Sequence, residues 1–204
     1  MKTPLTFPGL KRLLLPRRPD NSSADVDTIR AQALFQPAEP STSVRRGSLV
    51  QFLKQVNLFE DLGRRDLLRL ERVLHERHYG AGEYICEEGR PGVALYVVRQ
   101  GVVEVVRRGI STQEIPLALL EPPASFEESA AIGTGVIRWF SVRARGPVSL
   151  LALGKSDLDG LILNFPVLAN KVLLRIAEVM AIRLQLLIDA EILTASEQPG
   201  QRKP

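Results

Sequence analysis

The chain has 204 residues, 45% of them hydrophobic and 25% charged, with a formal net charge of +4. That length suffices for one domain with a buried core. The single cysteine, Cys86, excludes a disulfide framework and favours a reducing compartment. No apolar run is long enough for a membrane span or a signal peptide, so we expect a cytoplasmic protein.

The net charge lies in residues 1–48, which contain eight basic and four acidic residues and leave the remainder neutral. This segment is rich in proline and we predict that it is mostly disordered, although residues 25–34 could form a helix. Residues 10–15 are both basic and apolar. Two interpretations remain open for residues 1–18: a solvated tail, or a docking peptide for a partner protein or an anionic membrane surface.

The apolar periodicity begins near residue 50 and predicts helices at the start of a folded domain. In residues 62–74, Leu67, Leu70, Val73 and Leu74 fall on one helical face. The domain itself is predicted to span residues 49–193, with residues 194–204 as a frayed end.

Short segments rich in Val, Ile and Tyr follow, and glycines separate them. Gly82, Gly89 and Gly101 fall where the chain must turn tightly, and we expect a positive φ there. The spacing predicts a mainly β domain with flanking helices, built as an antiparallel β-roll or jelly roll. The predicted strands cover residues 78–79, 84–86, 94–99, 102–107, 114–119, 139–144 and 148–153.

Two helices are predicted to close the domain. Ser156 is positioned to cap a helix over residues 157–164, and Pro166 suits the first turn of a long helix that reaches about residue 193. This long helix carries two apolar stripes, and such helices usually bury both. We therefore predict a homodimer or a partner helix along it. The residues predicted for this contact are Val172, Ile176, Val179, Met180, Leu184 and Leu187.

The order of these segments resembles the cyclic-nucleotide-binding domain family. The resemblance covers roughly residues 51–185. It rests on the LFEDL motif at residues 58–62, GEYICEEG at residues 82–89 and YVVRQGVVEV at residues 96–105. It implies a β-roll fold, a cyclic nucleotide as the ligand, and a phosphate-binding cassette in which a Gly-Glu pair opens a short helix. In that cassette the glutamate takes the ribose 2′-hydroxyl and an arginine about ten residues later pairs with the phosphate.

Two residues of this chain match the cassette and three depart from it. By the resemblance, Glu128 is the ribose-binding glutamate and Arg138 the phosphate-binding arginine. Glu127 replaces the glycine, while Trp139 and Phe140 replace the small pair after the arginine; Phe126 is a further pocket candidate. If the Glu127 carboxylate lay about 6 Å from a bound phosphate, repulsion between the two anions would weaken binding by roughly 2–3 kcal/mol at an effective dielectric constant near 20. We predict that one of the two aromatic residues, taken as lying in a strand, faces the interior. The pocket is therefore predicted to be degenerate.

The same residues allow interpretations without a ligand. Ser125 to Glu128 forms an S-x-x-E capping box, and Arg138 could form an internal ion pair with Glu127 or Glu128. His75 and His78 have no further ligands nearby in sequence, so we expect no metal site. No motif indicates catalysis, so we expect no enzyme.

We therefore predict a non-catalytic regulatory or scaffolding protein that acts through protein contacts. The alternative is a genuine sensor of cyclic AMP, cyclic GMP or a cyclic dinucleotide that signals to a separate protein. A third possibility is an accessory subunit of a membrane complex, attached through residues 1–18. Too few residues follow the long helix for a helix-turn-helix, and the domain is neutral, so we expect no DNA partner.

Overall fold

Strands with apolar residues on both faces form the centre of the fold, and helices cover one side of them. The structure is a computed structural model that describes residues 49–109, 113–133 and 135–196. The helices are α1 (Leu49–Leu53), α2 (Arg64–Glu71), α3 (Glu128–Ile132), α4 (Lys155–Asn164) and α5 (Pro166–Ser196), with a 3-10 turn at Asn57–Phe59. The strands are β1 (His75–Tyr79), β2 (Tyr84–Cys86), β3 (Ala94–Gln100), β4 (Val103–Arg108), β5 (Glu114–Leu120), β6 (Ser125–Phe126), β7 (Ser141–Ala144) and β8 (Val148–Gly154).

The eight strands form two antiparallel four-stranded sheets. One sheet has the order β1-β8-β3-β6 and the other the order β2-β7-β4-β5. This confirms the predicted β-roll with flanking helices and a long C-terminal helix. The predicted boundaries at residues 48 and 193 stay predictions, and the predicted tail, including residues 1–18 and 25–34, lies outside the described residues.

The alternation of side chains along β3 divides the core into two layers. Leu95 and Val97 point towards the helices, whereas Tyr96 and Val98 point between the two sheets. Because β3 is covered on both sides, its sequence is a continuous apolar run. One layer thus joins the first sheet to the helices, and the other fills the roll.

Three turns have the glycine conformation that the sequence predicts. The φ angles of Gly82, Gly89 and Gly101 are 81°, 80° and 85°. Gly101 is also confined by space, because a Cβ atom there would lie 2.5 Å from the carbonyl oxygen of Pro147. Only glycine satisfies both conditions at this turn.

Two local predictions were wrong. Helix α4 begins after Gly154, whose backbone N–H donates to the Asp157 carboxylate at 3.0 Å, so Ser156 is not the cap. Trp139 and Phe140 lie in the bend before β7, not in the strand. One of them nevertheless faces inward, since Phe140 is 7% exposed and Trp139 is 41% exposed.

Helix α5 begins at Pro166, as predicted, and buries one of its two apolar stripes within the chain. Val172, Ile176 and Val179 pack in the layer between the helices and the first sheet. The prediction that these three contact a partner was therefore wrong, because the same chain already covers them. Met180 and Leu184 remain exposed, while the Leu187 side chain lies outside the described residues. Within the described ranges, no helix is long and apolar enough to cross a membrane.

Candidate functional site

The segment between β6 and β7 meets helix α5 around a cavity of about 220 Å³. Its walls come from two stretches that are far apart in sequence, the cassette of residues 127–140 and the middle of α5. The lining residues are Glu127, Glu128, Ser129, Val136, Ile137, Arg138, Trp139, Phe140, Met180, Arg183 and Leu184. Five of the six predicted site residues are thus brought together here.

Glu127 occupies a backbone conformation that normally belongs to glycine. Its φ of 63° makes it the one non-glycine residue with a positive φ among those the structure describes. The residue stands immediately before α3 and its side chain is buried. The left-handed conformation that the family's glycine would provide is therefore retained, and a carboxylate has been added to it.

That carboxylate pairs with the arginine predicted to bind phosphate. Arg138 Nε donates to Glu127 Oε2 at 2.7 Å, and Arg138 Nη1 donates to the carbonyl oxygen of Pro91 at 2.9 Å. Burial raises the pKa of the Glu127 carboxyl above its ordinary value, and the hydrogen bond from Arg138 opposes that rise. Of the two ion pairs considered for Arg138, the one with Glu127 is present.

Glu128 is held by a second arginine, from α5. Arg183 Nη1 donates to Glu128 Oε2 at 2.5 Å, and Arg183 Nη2 donates to the carbonyl oxygen of Ser125 at 3.2 Å. Ser125 Oγ donates to the other carboxylate oxygen of Glu128 at 2.6 Å. Both oxygens of this nearly buried carboxylate therefore have partners within the chain.

Two predictions about this segment are corrected by the geometry. Ser125 lies in β6 and does not cap α3; its hydroxyl bonds the Glu128 side chain, so the capping box does not form. Phe126 does not line the cavity. It is fully buried between the sheets and stacks on Tyr96 with ring centroids 5.2 Å apart.

Apart from Ser129, the remaining lining residues are apolar. Trp139 and Phe140 meet edge to face at 5.0 Å between ring centroids. Met180 and Leu184, which the sequence analysis assigned to a partner contact, line the cavity from α5. The site is thus an aromatic and aliphatic pocket in which two carboxylates and two guanidinium groups are paired with one another.

A close backbone approach beneath the cassette depends on Gly92. A Cβ atom at this position would lie 2.6 Å from Ala130 Cβ and 3.0 Å from Glu127 Oε2. Cys86 also lies below the cassette, and burial raises the pKa of its thiol to about 12, so it stays protonated at neutral pH.

The sequence pattern did not assign to the site the residues that α5 and the loop before Arg138 contribute. Val136 and Ile137 lack any distinguishing pattern. Arg183 did give a signal, since it interrupts an otherwise apolar stripe of α5. Sequence alone could not identify its partner, because Glu128 is 55 residues away.

Among the described residues, no group of three or more His, Cys, Asp or Glu side chains is placed to hold a metal ion. His75 Nε2 instead lies 3.2 Å from Asp157 Oδ1, and His78 lies beside Glu76. The described site is a shaped pocket with a few convergent polar groups.

Residues 76–165 match the cyclic nucleotide-binding domain family. The matched residues include most of the β-roll. Among solved structures, it is similar to the Thermus thermophilus catabolite activator protein, with 33% identity, 69% of this chain and 63% of that chain covered, and a TM-score of 0.60. It is also similar to the N-terminal domain of a transcriptional regulator from Streptomyces coelicolor, with 29% identity, 64% and 92% coverage, and a TM-score of 0.59.

The curated relatives are regulated proteins of greater length. A cyclic nucleotide-gated potassium channel from Mesorhizobium japonicum is 36% identical over 62% of this chain and 34% of its own length. A Drosophila melanogaster cGMP-dependent protein kinase is 28% identical over 59% of this chain and 13% of its own length. The chain therefore aligns with about a third or less of these two relatives.

Proposed function

We propose that this chain is a non-catalytic regulatory or scaffolding protein whose cassette does not bind ordinary cyclic AMP or cyclic GMP and which acts through protein contacts. The Arg138–Glu127 ion pair is the observation that carries the proposal. To reach Arg138, a cyclic phosphate would have to displace the buried Glu127 carboxylate, whose Oε2 lies 2.7 Å from Arg138 Nε. The negatively charged carboxylate would also repel the phosphate.

The ribose contact meets the same obstacle. A ribose hydroxyl could donate to Glu128 only by replacing Arg183 or Ser125, which already occupy its two oxygens. The cavity of about 220 Å³ is also smaller than the roughly 300–1,000 Å³ of ordinary ligand pockets. The residues present therefore do not fit a cyclic nucleotide in the family's manner.

A titration of cyclic AMP and cyclic GMP tests this proposal, with Glu127→Gly as the informative variant. Trp139 is the only tryptophan, so its fluorescence reports on the pocket, and calorimetry checks each result. We expect no saturable binding to the natural protein up to millimolar ligand. Glu127→Gly should gain about 30- to 140-fold in affinity, since it removes a repulsion of roughly 2–3 kcal/mol.

Glu127→Gly with Arg138→Ala is the matched control. It should lose the gained affinity, because the phosphate would again lack a cation. Circular dichroism establishes that each variant is folded. Micromolar binding by the natural protein, abolished by Arg138→Ala alone, would overturn the proposal.

That outcome would establish the second candidate, a cyclic-nucleotide sensor that signals in trans. The observation favouring it is that Glu128 and Arg138, the two family-matched residues, both border the cavity. Displacement of Glu127 and Arg183 by the ligand would then be part of its binding reaction.

The surface that we propose for protein contacts is the exposed stripe of α5. Met180, Leu184 and Ile188 recur every four residues and are 36%, 58% and 44% exposed. Side chains at this spacing lie on one helical face, which suits a second copy of the same helix or a partner helix.

A further inference from the structure

We propose that the cavity between the cassette and α5 binds an uncharged, bicyclic aromatic molecule and that Glu127 selects against anions. This inference rests on the proposed function, because it takes both ion pairs as intact in the working protein. It goes further by naming a class of ligand for a pocket that has ceased to suit a cyclic nucleotide.

The charges of the pocket are balanced by its own side chains. Arg138 is paired with Glu127 at 2.7 Å, and Arg183 is paired with Glu128 at 2.5 Å. These two positive and two negative side chains together give the polar part of the cavity lining no net charge. An anion would meet Glu127 beside Arg138, and a cation would meet arginines already held by carboxylates, so an uncharged molecule is favoured.

The apolar walls favour a flat aromatic ring. Val136, Ile137 and Trp139 line the cavity from the cassette, and Met180 and Leu184 line it from α5. All five side chains are large, apolar and at least 36% exposed, so a ligand would remove a continuous apolar surface from water. An aromatic ligand also gains from an edge or face contact with Trp139 and from the thioether of Met180.

The volume indicates how much of a ligand the cavity encloses, since its apolar walls are partly exposed. An apolar protein cavity of about 150 Å³ accommodates benzene, which has six ring atoms. In proportion, 220 Å³ accommodates about nine non-hydrogen atoms, the size of indole or purine. A whole cyclic nucleotide has about twice as many and would not be enclosed.

The test compares neutral and anionic molecules that share a ring. Trp139 gives the protein a single indole N–H resonance, which ¹H–¹⁵N spectra follow during a titration. We expect indole and adenine to shift this resonance saturably at submillimolar concentration. Indole-3-acetate and cyclic AMP should bind at least tenfold more weakly than indole and adenine, respectively.

Two variants and one control assign the effect to the pocket. Ile137→Glu should weaken indole binding at least tenfold, because it places a charge on the apolar wall at a residue outside the exposed stripe of α5. Leu119→Glu is the matched control, since Leu119 is similarly exposed (50% against 59%) but lies on β5 and does not line the cavity. Glu127→Gln should reverse the preference, so that indole-3-acetate binds at least as tightly as indole.

Several outcomes would overturn the inference. These are no shift with indole or adenine up to their solubility, equal affinity for neutral and anionic molecules, or equal effects of Ile137→Glu and Leu119→Glu. The dispersion of each spectrum shows whether the variant is folded. Failure of the proposed function has a different signature, namely saturable binding of cyclic AMP that Arg138→Ala abolishes.

Discussion

Glu127 combines two features that destabilise a folded chain, a left-handed backbone conformation and a buried carboxylate. A left-handed backbone costs a residue other than glycine about 1–2 kcal/mol, and burial of a carboxylate adds a desolvation penalty. Both are offset locally, because Arg138 is equally buried and would otherwise lack an anion. The departure from the family's glycine is thus accompanied by a compensating contact at the phosphate-binding position.

The pKa of a second carboxyl, that of Glu76, is shifted in the opposite direction to the pKa of Glu127. The hydrogen bond from Ser149 lowers the pKa of the Glu76 carboxyl, and Arg99 adds to the effect at 2.7 Å. A carboxyl whose pKa is lower in the folded state stabilises the fold above the unfolded value of 4.5. That stabilisation is lost as the pH falls through the folded pKa.

We therefore expect Ser149→Ala to reduce stability by about 1–2 kcal/mol at neutral pH. The difference in the free energy of unfolding between the variant and the natural protein should become smaller as the pH falls below 4.5, because the Glu76 carboxylate that accepts the hydrogen bond becomes protonated. Denaturant unfolding at several pH values measures this. A stability difference that is independent of pH would contradict the assignment of Ser149 as the main cause.

At the scale of the element, α5 is fastened at two places along its length. In its first half, Arg175 contacts the 3-10 turn through the carbonyl oxygen of Asn57 and the neighbouring carboxylate of Glu60. Two turns later, Arg183 contacts Glu128. The first contact holds the helix to the N-terminal segment, whereas the second holds it to the cassette.

Arg183→Gln should therefore loosen the C-terminal half of α5. Loss of a partner leaves a nearly buried carboxylate with one hydrogen bond, and we expect a destabilisation of about 2–4 kcal/mol. Hydrogen exchange of peptides that cover residues 177–188 measures the loosening directly. Arg72→Gln, the same chemical change at an exposed position after α2, is the control. Identical exchange in both variants would refute the role of Arg183.

The elements were more predictable than the site, and the reason is the range of the interactions. Strand β3 is marked by its own apolar run and β4 by the glycine turn before it, both of which are local in sequence. The aromatic pair Trp139 and Phe140 was assigned to a strand because it adjoins Ser141, where β7 begins. Ser125 satisfied the spacing of a capping box, yet its strand position directs the hydroxyl to a side chain.

The two ion pairs show most clearly which contacts a sequence pattern can predict and which it cannot. Glu127 and Arg138 lie 11 residues apart within one cassette, so the family spacing suggested their contact. Glu128 and Arg183 depend on how α5 packs across the roll, and no local pattern encodes that packing. Long-range contacts of this kind therefore decide whether a family-matched residue is free to bind a ligand.

At the scale of the whole molecule, the burial of one α5 stripe and the exposure of the other bear on assembly. The exposed stripe of Met180, Leu184 and Ile188 is aliphatic and continuous. The predicted tail adds a separate basic segment that has no counterpart in the neutral remainder of the sequence.

We expect light scattering at micromolar concentration to give twice the chain mass of 22.6 kDa. Ile188→Glu should shift the protein towards the monomer by placing a charge in the interface, whereas Leu119→Glu should leave the mass unchanged. Ile188 suits this test because it does not line the cavity. A mass of 22.6 kDa for the natural protein would exclude the homodimer.

The contact between Arg183 and Glu128 also sets the sign of any coupling between the pocket and the helix. A ligand that takes the Glu128 carboxylate must release Arg183, so occupancy and docking of α5 would oppose each other. Thermodynamic linkage makes the antagonism reciprocal, because whatever secures α5 against the cassette lowers affinity for such a ligand by the same factor. A partner protein that holds α5 against the cassette would thereby inhibit binding of a ligand that displaces Arg183. An uncharged ligand that leaves the ion pair intact would not be affected in this way.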